Sequence, residues 1–546
     1  MAGRDQFETL FREFLSASYT RRQAMLRAAG IGVGAAVTGP RVVGAAPAGR
    51  AGAVVGRAQD ATPTAKPGGT LKVGMQSDPG GLDPVLLSAT ALWHVVEHIY
   101  SRLTRIMPDL SVAPELAETI DISEDGLTYT FKLRSGVKFH NGRDMTADDI
   151  VYSFQRLVDP AIASPSADTL ASMDTVAASD PSTVVITLKA PDASFLANLA
   201  EVACIIVPKE VVEENGDLSQ VAVGTGPFTF VEYVPETSIT LSKNADYWEE
   251  GLPYLDGLEL TIASDDTSRT TAVVTGTVDM IEYAPLRDIE LLEQDDSIAL
   301  AGNSNTNIRY LGFNMKNKPF DDVRVRKAIS MIIDREAVLG PAVFGHGTPV
   351  QVSLPPDHWA ALQGDIPPVD IDGAKALLAE AGFADGFETT ITSWSAYSFL
   401  NAAAVVIQEE LKQIGINAEL VLLETATMIQ DVHTPGQEKY DMSVTGTSGH
   451  VDPHQLFQNF KTGAGGNTMG YSNTELDALI DQGYTSTDQA ARAEIYQQIQ
   501  QILLEDLPWV NLFVANQYEA MKTHVKGYYH TPNGSNIAIK ETWLDQ

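Results

Sequence analysis

The sequence predicts a mixed α/β fold, because helical and strand patterns alternate along the chain. The alternation is clearest in the second half, where helices that end at glycine are each followed by an apolar strand: helix 371–381, strand 387–393, helix 400–413 and strand 417–423. An earlier meander over residues 118–140 contains a strand whose apolar residues alternate with polar ones: Leu127, Tyr129, Phe131 and Leu133.

Capping residues and turn signals predict the elements before the middle of the chain. Residues 69–76 alternate as a strand, and residues 92–106 have helical spacing. Thr146 and Asp149 form a capping box that opens a helix to about Leu157.

The same signals predict the later elements. Residues 307–314 form a strand, and Asp321-Asp322 caps an amphipathic helix that runs to about Leu339. A further strand and two helices are expected nearer the C-terminus, at residues 439–446, 475–483 and 488–505.

The charge balance argues against a nucleic-acid partner. The 546 residues include 71 acidic and 37 basic side chains, a formal net charge of −34. A surface this acidic repels a phosphate backbone. The single cysteine, Cys204, lies in the apolar segment 201–207, which predicts a buried strand in which a thiol behaves as a small hydrophobic group.

The N-terminal segment predicts export. Arg21-Arg22 precedes a small, apolar run over residues 28–37, and a paired arginine before such a run is typical of a twin-arginine signal. We expect residues 1–60 to be this signal region and residues 61–68 to be a linker. The run is too short for a permanent membrane helix. The mature protein is therefore expected to be soluble in the periplasm or outside the cell.

A set of motifs follows in one order along residues 69–546. They are Leu82–Pro84, Gly126–Gly142, Thr146–Ser153, Gly224–Phe228, Asn244–Trp248, Pro319–Ala328, Leu411–Ile416 and Tyr440–Met442. Together they resemble the motifs of the family 5 extracellular solute-binding proteins, the oligopeptide, dipeptide and nickel binders of ABC importers.

The resemblance implies a bilobal periplasmic-binding-protein-like fold of type II, in the large peptide-binder variant with an extra subdomain. Lobe one would hold residues 69–310 and 512–546, with the extra subdomain at 114–218, and lobe two would hold residues 311–511. The implied function is capture of a peptide or peptide-like solute in the interlobe cleft by hinge closure. Delivery to the permease subunits of an ABC importer would follow, and we expect a monomer.

The resemblance also implies where the solute lies. In peptide-binding relatives the ligand is added as a strand between two edges, which match Met75–Asp78, including Gln76, Ser77 and Asp78, and Ser443–Thr447. Aromatic groups would form the side-chain pockets, and the candidates are Trp93, Tyr283, Trp394 and Tyr397. Each of these aromatic residues could instead belong to the core.

The segment Gly446–Pro453 departs from the pattern of peptide binders. Asp452-Pro453 is present and Thr447 stands at the usual aromatic position, but the aspartate that pairs with a peptide amine is missing. His450 is the nearest residue in register and could bind a carboxylate, a metal chelate or a sugar hydroxyl, or could lie in solvent. Gly446, Thr447, His450 and Asp452 are therefore candidate ligand residues.

Other chemistries remain as alternatives. His94-Val-Val-Glu97-His98 fits the inverted zinc-peptidase pattern, which makes a zinc metallopeptidase the rival from another class. Within the family, a nickel-chelate or oligosaccharide binder is the alternative. No catalytic residue, resident metal or cofactor motif is predicted, and the protein is expected not to be an enzyme.

Overall fold

The structure, a computed structural model, describes residues 65–447 and 449–546. The predicted signal region, residues 1–60, lies outside the described residues, as do residues 61–64 of the predicted linker. Among the described residues, no helix is both long and apolar enough to cross a membrane.

Strands and helices mix throughout, as the sequence predicts. The first elements are β1 Thr70–Met75, α1 Thr90–Val96, β2 Thr104–Ile106, β3 Val112–Pro114, β4 Ala117–Ile122, β5 Thr128–Leu133, α2 Ala147–Val158, β6 Met173–Asp180, β7 Thr183–Leu188, α3 Phe195–Asn198 and α4 Lys209–Asn215. The next are β8 Phe228–Val234, β9 Ser238–Lys243, β10 Gly257–Ile262, α5 Asp266–Thr275, β11 Met280–Ile281, α6 Ile289–Glu293, β12 Ile298–Phe313, α7 Val323–Ile332, α8 Arg335–Val343 and β13 Gly347–Pro349. The last are α9 Ile371–Glu380, β14 Phe387–Trp394, α10 Ser398–Lys412, β15 Ile416–Leu423, α11 Thr425–His433, β16 Met442–Gly446, α12 Pro453–Phe457, α13 Thr474–Thr485, α14 Gln489–Asp506, β17 Trp509–Lys522, β18 Val525–Lys526 and β19 Trp543–Leu544.

One mixed sheet of eleven strands runs through the described part of the chain. Its order is β15-β14-β16-β12-β17-β11-β1-β10-β9-β8, and β13 pairs with β17 off this path. β12 and β17 are the longest strands of the sheet, with 16 and 14 residues, and they pair with each other antiparallel. They join the strands at one end of the sheet to those at the other.

The two halves of the sheet are covered by separate hydrophobic cores. One core gathers around β1, β9 and β10, with Leu71, Val73 and Leu258 fully or almost fully buried. The other gathers around β14, β16, α7 and α10, with Ile391 and Ile407 fully buried. β12 and β17 contribute residues to both cores, so each of these strands carries the chain from one core to the other.

A smaller four-stranded sheet, in the order β4-β5-β7-β6, stands apart from the main sheet. Its core includes Phe131 of β5 and Phe154 of α2, both fully buried. The predicted capping box is present at the start of α2, where the Asp149 carboxylate accepts from the Thr146 backbone N–H at 2.8 Å. This unit lies within the predicted extra subdomain, residues 114–218.

Two predicted helices are divided or shortened. The helix expected up to Leu339 is two helices, α7 and α8, because Asp334 has an extended backbone (φ −83°, ψ 96°) and caps α8 through the Ala337 N–H. The helix expected over residues 92–106 ends at Val96. There the chain turns so that the Ile99 carbonyl accepts from the Gly226 N–H at 2.8 Å.

Two predicted strands also differ. Cys204 is fully buried as expected, but it lies in the 3-10 turn Val202–Cys204 rather than in a strand. Its backbone N–H donates back to the Glu201 carbonyl, and burial raises the pKa of the thiol, so the cysteine stays protonated. The strand expected over residues 307–314 is the second half of the much longer β12.

The motif at residues 224–228 contains glycines because two segments of backbone meet there. A Cβ atom on Gly224 would lie 2.1 Å from the Ile99 carbonyl oxygen, and one on Gly226 would lie 2.5 Å from the Ile99 carbonyl carbon. Real Cβ atoms do not approach backbone atoms this closely, so a side chain at either position forces the two segments apart.

We expect Gly224→Ala to lower the free energy of unfolding by more than about 2 kcal/mol, because the clash is with backbone that cannot rotate away. The control is Gly364→Ala. That glycine is exposed in a loop and a Cβ there meets nothing within 4 Å, so the exchange should change the free energy of unfolding by no more than about 0.5 kcal/mol. Urea unfolding of the three proteins measures both effects, and equal midpoints would contradict the assignment of Gly224.

Candidate functional site

A cavity of about 810 Å³ opens where the two halves of the main sheet meet. Its lining combines residues after β1, the segment that follows β11, the middle of β12, the start of α10, the end of β16 and the middle of β17. Cavities of this size are typical of ligand sites, and such sites often lie between domains. This cavity is the candidate functional site.

Seven of the eleven sequence-predicted site residues line this cavity. They are Gln76, Ser77, Tyr283, Trp394, Tyr397, Gly446 and Thr447. The segments that supply them are far apart in the chain, between residues 76 and 447, so only the fold brings these residues together. The other four, Asp78, Trp93, His450 and Asp452, are absent from the lining.

Aromatic side chains form one wall of the cavity. Trp394 and Tyr397 pack edge to face with ring centroids 5.7 Å apart, and Phe399 lies 5.9 Å beyond Tyr397. The Trp394 indole N–H donates to the Thr445 hydroxyl at 3.0 Å, which fixes the ring. Tyr397 remains 47% exposed, so it offers apolar surface that a solute can cover.

Tyr283 lies on the side of the cavity that belongs to the first core. Its backbone has φ +46°, a left-handed conformation that costs a non-glycine residue about 1–3 kcal/mol. Arg269 stabilises this backbone by donating to the Tyr283 carbonyl at 3.1 Å, and the phenol ring stacks on His94 at 5.6 Å. Strain of this kind clusters at ligand sites, where the surrounding structure holds it.

Gly446 and Thr447 are explained by their contacts with β12. A Cβ on Gly446 would lie 2.3 Å from Nη1 of Arg309, so glycine leaves the space that the guanidinium occupies. The Thr447 hydroxyl accepts from the Ile308 N–H at 3.0 Å, and the Thr447 N–H donates to the Ile308 carbonyl at 2.9 Å. Thr447 therefore ties the end of β16 to β12.

The prediction that Ser443–Thr447 offers an open strand edge is wrong for part of this segment. Ser443 and Val444 pair with β12 on one side and with β14 on the other, so an added strand has no unpaired backbone there. Pairing with β14 stops at Val444. By contrast, Gln76 and Ser77 are exposed beyond the end of β1.

Two of the predicted residues outside the cavity are held by other contacts. The Asp78 carboxylate accepts from the Tyr233 hydroxyl at 2.5 Å and from the Glu236 N–H at 2.6 Å. Burial opposes ionisation of Asp78, but these hydrogen bonds outweigh it and lower the pKa of the carboxyl group. Trp93 is partly buried and packs against the first core, which is the alternative that the sequence left open for it.

Asp452 and His450 follow β16 in the chain and do not line this cavity. Both carboxylate oxygens of Asp452 are engaged by the Arg492 guanidinium, at 2.7 and 2.8 Å, and one also accepts from the His454 N–H to cap α12. Burial lowers the pKa of His450 to about 4, so its ring is neutral at pH 7. His450 lines two neighbouring cavities, of about 250 and 600 Å³.

Two residues of the possible zinc motif, His94 and Glu97, are occupied by hydrogen bonds, whereas the buried Nδ1 atom of His98 has no hydrogen-bond partner among the described residues. Both ring nitrogens of His94 have acceptors, the Glu282 carboxylate at 2.5 Å and the Gly534 carbonyl at 2.9 Å. The Glu97 carboxylate accepts from the Ser535 hydroxyl and the Asn536 N–H. Residues 65–447 and 449–546 contain no group of three His, Cys, Asp or Glu side chains arranged to hold a metal ion.

This buried network supports the cavity from behind. Glu282 also accepts from the Gln76 N–H at 2.9 Å, so the His94–Glu282 pair positions the chain where it enters the cavity. Burial alone lowers the pKa of His94, but the adjacent Glu282 carboxylate raises it to about 9. His94 is therefore the cationic partner of a buried ion pair at neutral pH.

The His94 pKa predicts a pH dependence of stability. The folded pKa lies above the usual 6.5, so the stabilisation is complete below about pH 6.5 and is lost as the pH rises through 9. The loss amounts to at most about 3 kcal/mol. We expect the thermal midpoint of the wild type to fall between pH 6.5 and 10, and the curves of His94→Gln and of His94→Gln/Glu282→Gln to be flatter. Curves parallel to that of the wild type would exclude His94 as the titrating group.

Polar residues on β12 were missed by the sequence reasoning. Asn305, Asn307 and Arg309 all line the cavity, two residues apart on one face of the strand. The pairing of β12 with β17 is irregular between Ser304 and Ile308, and such irregularities re-aim side chains near functional sites. The signal that could have found them is the polar run over residues 303–307, followed by Arg309, within a crossing strand whose two ends are mostly apolar.

Comparison with known proteins identifies related chains over most of this length. The family described as bacterial extracellular solute-binding proteins, family 5 Middle, matches residues 111–468. The glutathione-binding protein GsiB of Escherichia coli K12 is 31% identical over 464 residues, which cover 83% of this chain and 90% of GsiB.

Two solved structures share the fold. The ABC transporter-associated periplasmic binding protein DppA of Helicobacter pylori, in complex with the peptide STSA, is 27% identical with a TM-score of 0.74, and the match covers 88% of this chain and 99% of DppA. The binding protein AgaA of A. tumefaciens R10, in complex with agropinic acid, is 30% identical with a TM-score of 0.74 and the same coverage. These likenesses confirm the predicted bilobal α/β class of type II periplasmic binding proteins.

Proposed function

The chain belongs to the family 5 bacterial extracellular solute-binding proteins, and from this premise we propose that it captures a peptide or peptide-like solute for an ABC importer. One observation carries the proposal. The seven predicted ligand residues that line the 810 Å³ cavity come from both halves of the sheet, so a solute bound there contacts both. Structural neighbours that hold a peptide or agropinic acid add support.

We propose that the two halves are lobes that close on the solute. Lobe one comprises residues 69–310 and 512–546, with the subdomain 114–218, and lobe two comprises residues 311–511. The two crossing strands β12 and β17 support this division. Leu512, Phe513 and Ala515 pack in the second core, which favours a hinge a few residues beyond 512. Contacts made only when the lobes are closed would select that form.

Within the cavity, the proposed contacts fall into three groups. Ser77 and the Gln76 side chain offer hydrogen bonds beyond β1, since the Gln76 N–H is already donated to Glu282. Tyr283, Trp394 and Tyr397 offer apolar pockets. Gly446 and Thr447 form the boundary of the cavity at the end of β16. His450 would contact only a solute that extends beyond this boundary. Asp78, Trp93 and Asp452 are omitted from the set, because their polar or packing contacts are already made within the protein.

The remaining parts of the proposal concern the setting of the protein. We propose export by the twin-arginine signal in residues 1–60, action outside the cytoplasm as a monomer, and docking to permease subunits. The named relatives are binding proteins, and we propose no enzymatic activity. No contact of the cavity favours a nickel chelate or an oligosaccharide over a peptide.

The proposal is tested by titrating the mature protein with di-, tri- and tetrapeptides, a nickel chelate and an oligosaccharide in a calorimeter. We expect at least one peptide to bind and Tyr397→Ala to weaken that binding about tenfold or more, because the exposed ring loses its contact with the solute. Tyr254→Ala, at a partly buried tyrosine outside the cavity, is the control and should bind like the wild type. Binding of the chelate or the oligosaccharide alone would replace the peptide with that class.

A further inference from the structure

One cation in the cavity has no charged partner among the described residues. Arg309 projects from β12 into the cavity, and its Nε is buried without a hydrogen-bond partner. Its guanidinium lies over the Phe399 ring, 5.2 Å from the centroid, and forms no ion pair within residues 65–447 and 449–546. An arginine has five N–H donors in a planar fork, so most of its hydrogen-bonding capacity is unused.

The other charged side chains of the cavity are paired. Arg269 bonds to Asp266 at 2.8 Å, and Arg287 lies 3.4 Å from the same carboxylate and 3.6 Å from that of Asp288. Glu282 is neutralised by His94. Among the charged residues that line this cavity, Arg309 alone remains without a counter-charge, so the lining presents a single uncompensated positive charge.

An uncompensated charge in a cavity is costly, because little water reaches it to replace a partner. Burial lowers the pKa of Arg309 to about 10, which still leaves the side chain cationic at neutral pH. The empty protein therefore holds a cation that a bound anion would stabilise. A residue selected only for packing would not need this charge.

The guanidinium lies against the backbone at the end of β16, where glycine makes room for it. A Cβ on Gly446 would approach Arg309 Nη1 to 2.3 Å. Asn307, two residues earlier in β12, has a buried Oδ1 atom that accepts no hydrogen bond from any described residue. The N–H donors of Arg309 complement a carboxylate, and the Asn307 oxygen complements a neighbouring N–H group. The C-terminal end of a peptide carries these two groups next to each other.

We propose that Arg309 determines the charge class of the solute by pairing with a carboxylate, while Asn307 accepts a hydrogen bond from a neighbouring N–H. This inference rests on the proposed function in one respect, namely that the solute occupies this cavity. It goes further by requiring that the solute be an anion at the point where it meets β12. Arg309 is thus a specificity-determining residue that the sequence motifs did not indicate.

The test compares the tightest-binding peptide of the panel as its free acid and as its C-terminal amide. Calorimetry is performed on the wild type, Arg309→Met and Arg324→Met. We expect the wild type to prefer the acid by about tenfold or more, equivalent to about 1.4 kcal/mol, and Arg309→Met to lose the preference. Arg324 lies outside the cavity and pairs with Asp322, so its variant controls for the same change in net charge.

A second measurement does not depend on peptides. Citrate, compared with chloride at equal ionic strength, should raise the thermal midpoint of the wild type and of Arg324→Met but not that of Arg309→Met. In the absence of any anion, Arg309→Met should be at least as stable as the wild type, because the exchange removes an unpaired charge and keeps an apolar stem. A lower midpoint for the empty variant would indicate a structural role and would overturn the inference.

The outcomes separate the two proposals. Equal binding of acid and amide by the wild type overturns the role of Arg309 and leaves peptide capture standing. If no peptide binds, but citrate stabilises the protein through Arg309, peptide capture fails and the anion site stands. Absence of both effects overturns both proposals.

Discussion

The architecture depends on the antiparallel pairing of two long strands. β12 and β17 pair from Ile298 with Lys522 to Gly312 with Trp509, and they pass from one core into the other. A single sheet can therefore serve two cores. The cavity lies over the section where this pairing is irregular, since regular pairing would direct the side chains of residues 305–307 differently. The candidate site and the junction of the two cores are thus the same structural feature.

The net charge of the whole chain and the charge inside the cavity have opposite signs. The chain carries a formal net charge of −34, which favours solubility and repels anions at a distance. Inside the cavity the carboxylates of Asp266 and Glu282 are neutralised by cations, and Arg309 is the cation left without a carboxylate partner among the described residues. The local charge is thus opposite in sign to that of the whole protein, because short-range pairing rather than net charge decides what a buried group can bind.

Behind the cavity, buried carboxylates connect distant segments of the chain through hydrogen bonds. Glu282 connects His94 to the backbone of Gln76, and Glu97 connects α1 to the C-terminal segment through Asn536. Two residues of the motif that resembles a zinc site in the sequence, His94 and Glu97, therefore hold the fold together through hydrogen bonds. Charged groups at this depth persist only when partners of opposite charge or good donors surround them.

The sequence by itself determined the α/β class, the family and the order of most elements, because periodicity, capping residues and motifs are local signals. It also identified Tyr283, Trp394, Tyr397 and Gly446, which the structure brings to one cavity. Element boundaries differ from the prediction where distant contacts decide them, as at Val96, where α1 ends because the Gly226 segment meets the chain.

Only the tertiary structure decided which charged side chains are paired with a group of opposite charge. Asp452 pairs with Arg492, 40 residues away, and His94 pairs with Glu282, 188 residues away, so neither contact is visible in a local pattern. The same holds more strongly for Arg309, since the lack of a partner emerges only when its neighbours in the fold are in place. Charge pairing is a property of the assembled fold. For that reason the sequence predicted several residues of the cavity but not Arg309, whose unpaired side chain makes the cavity positively charged.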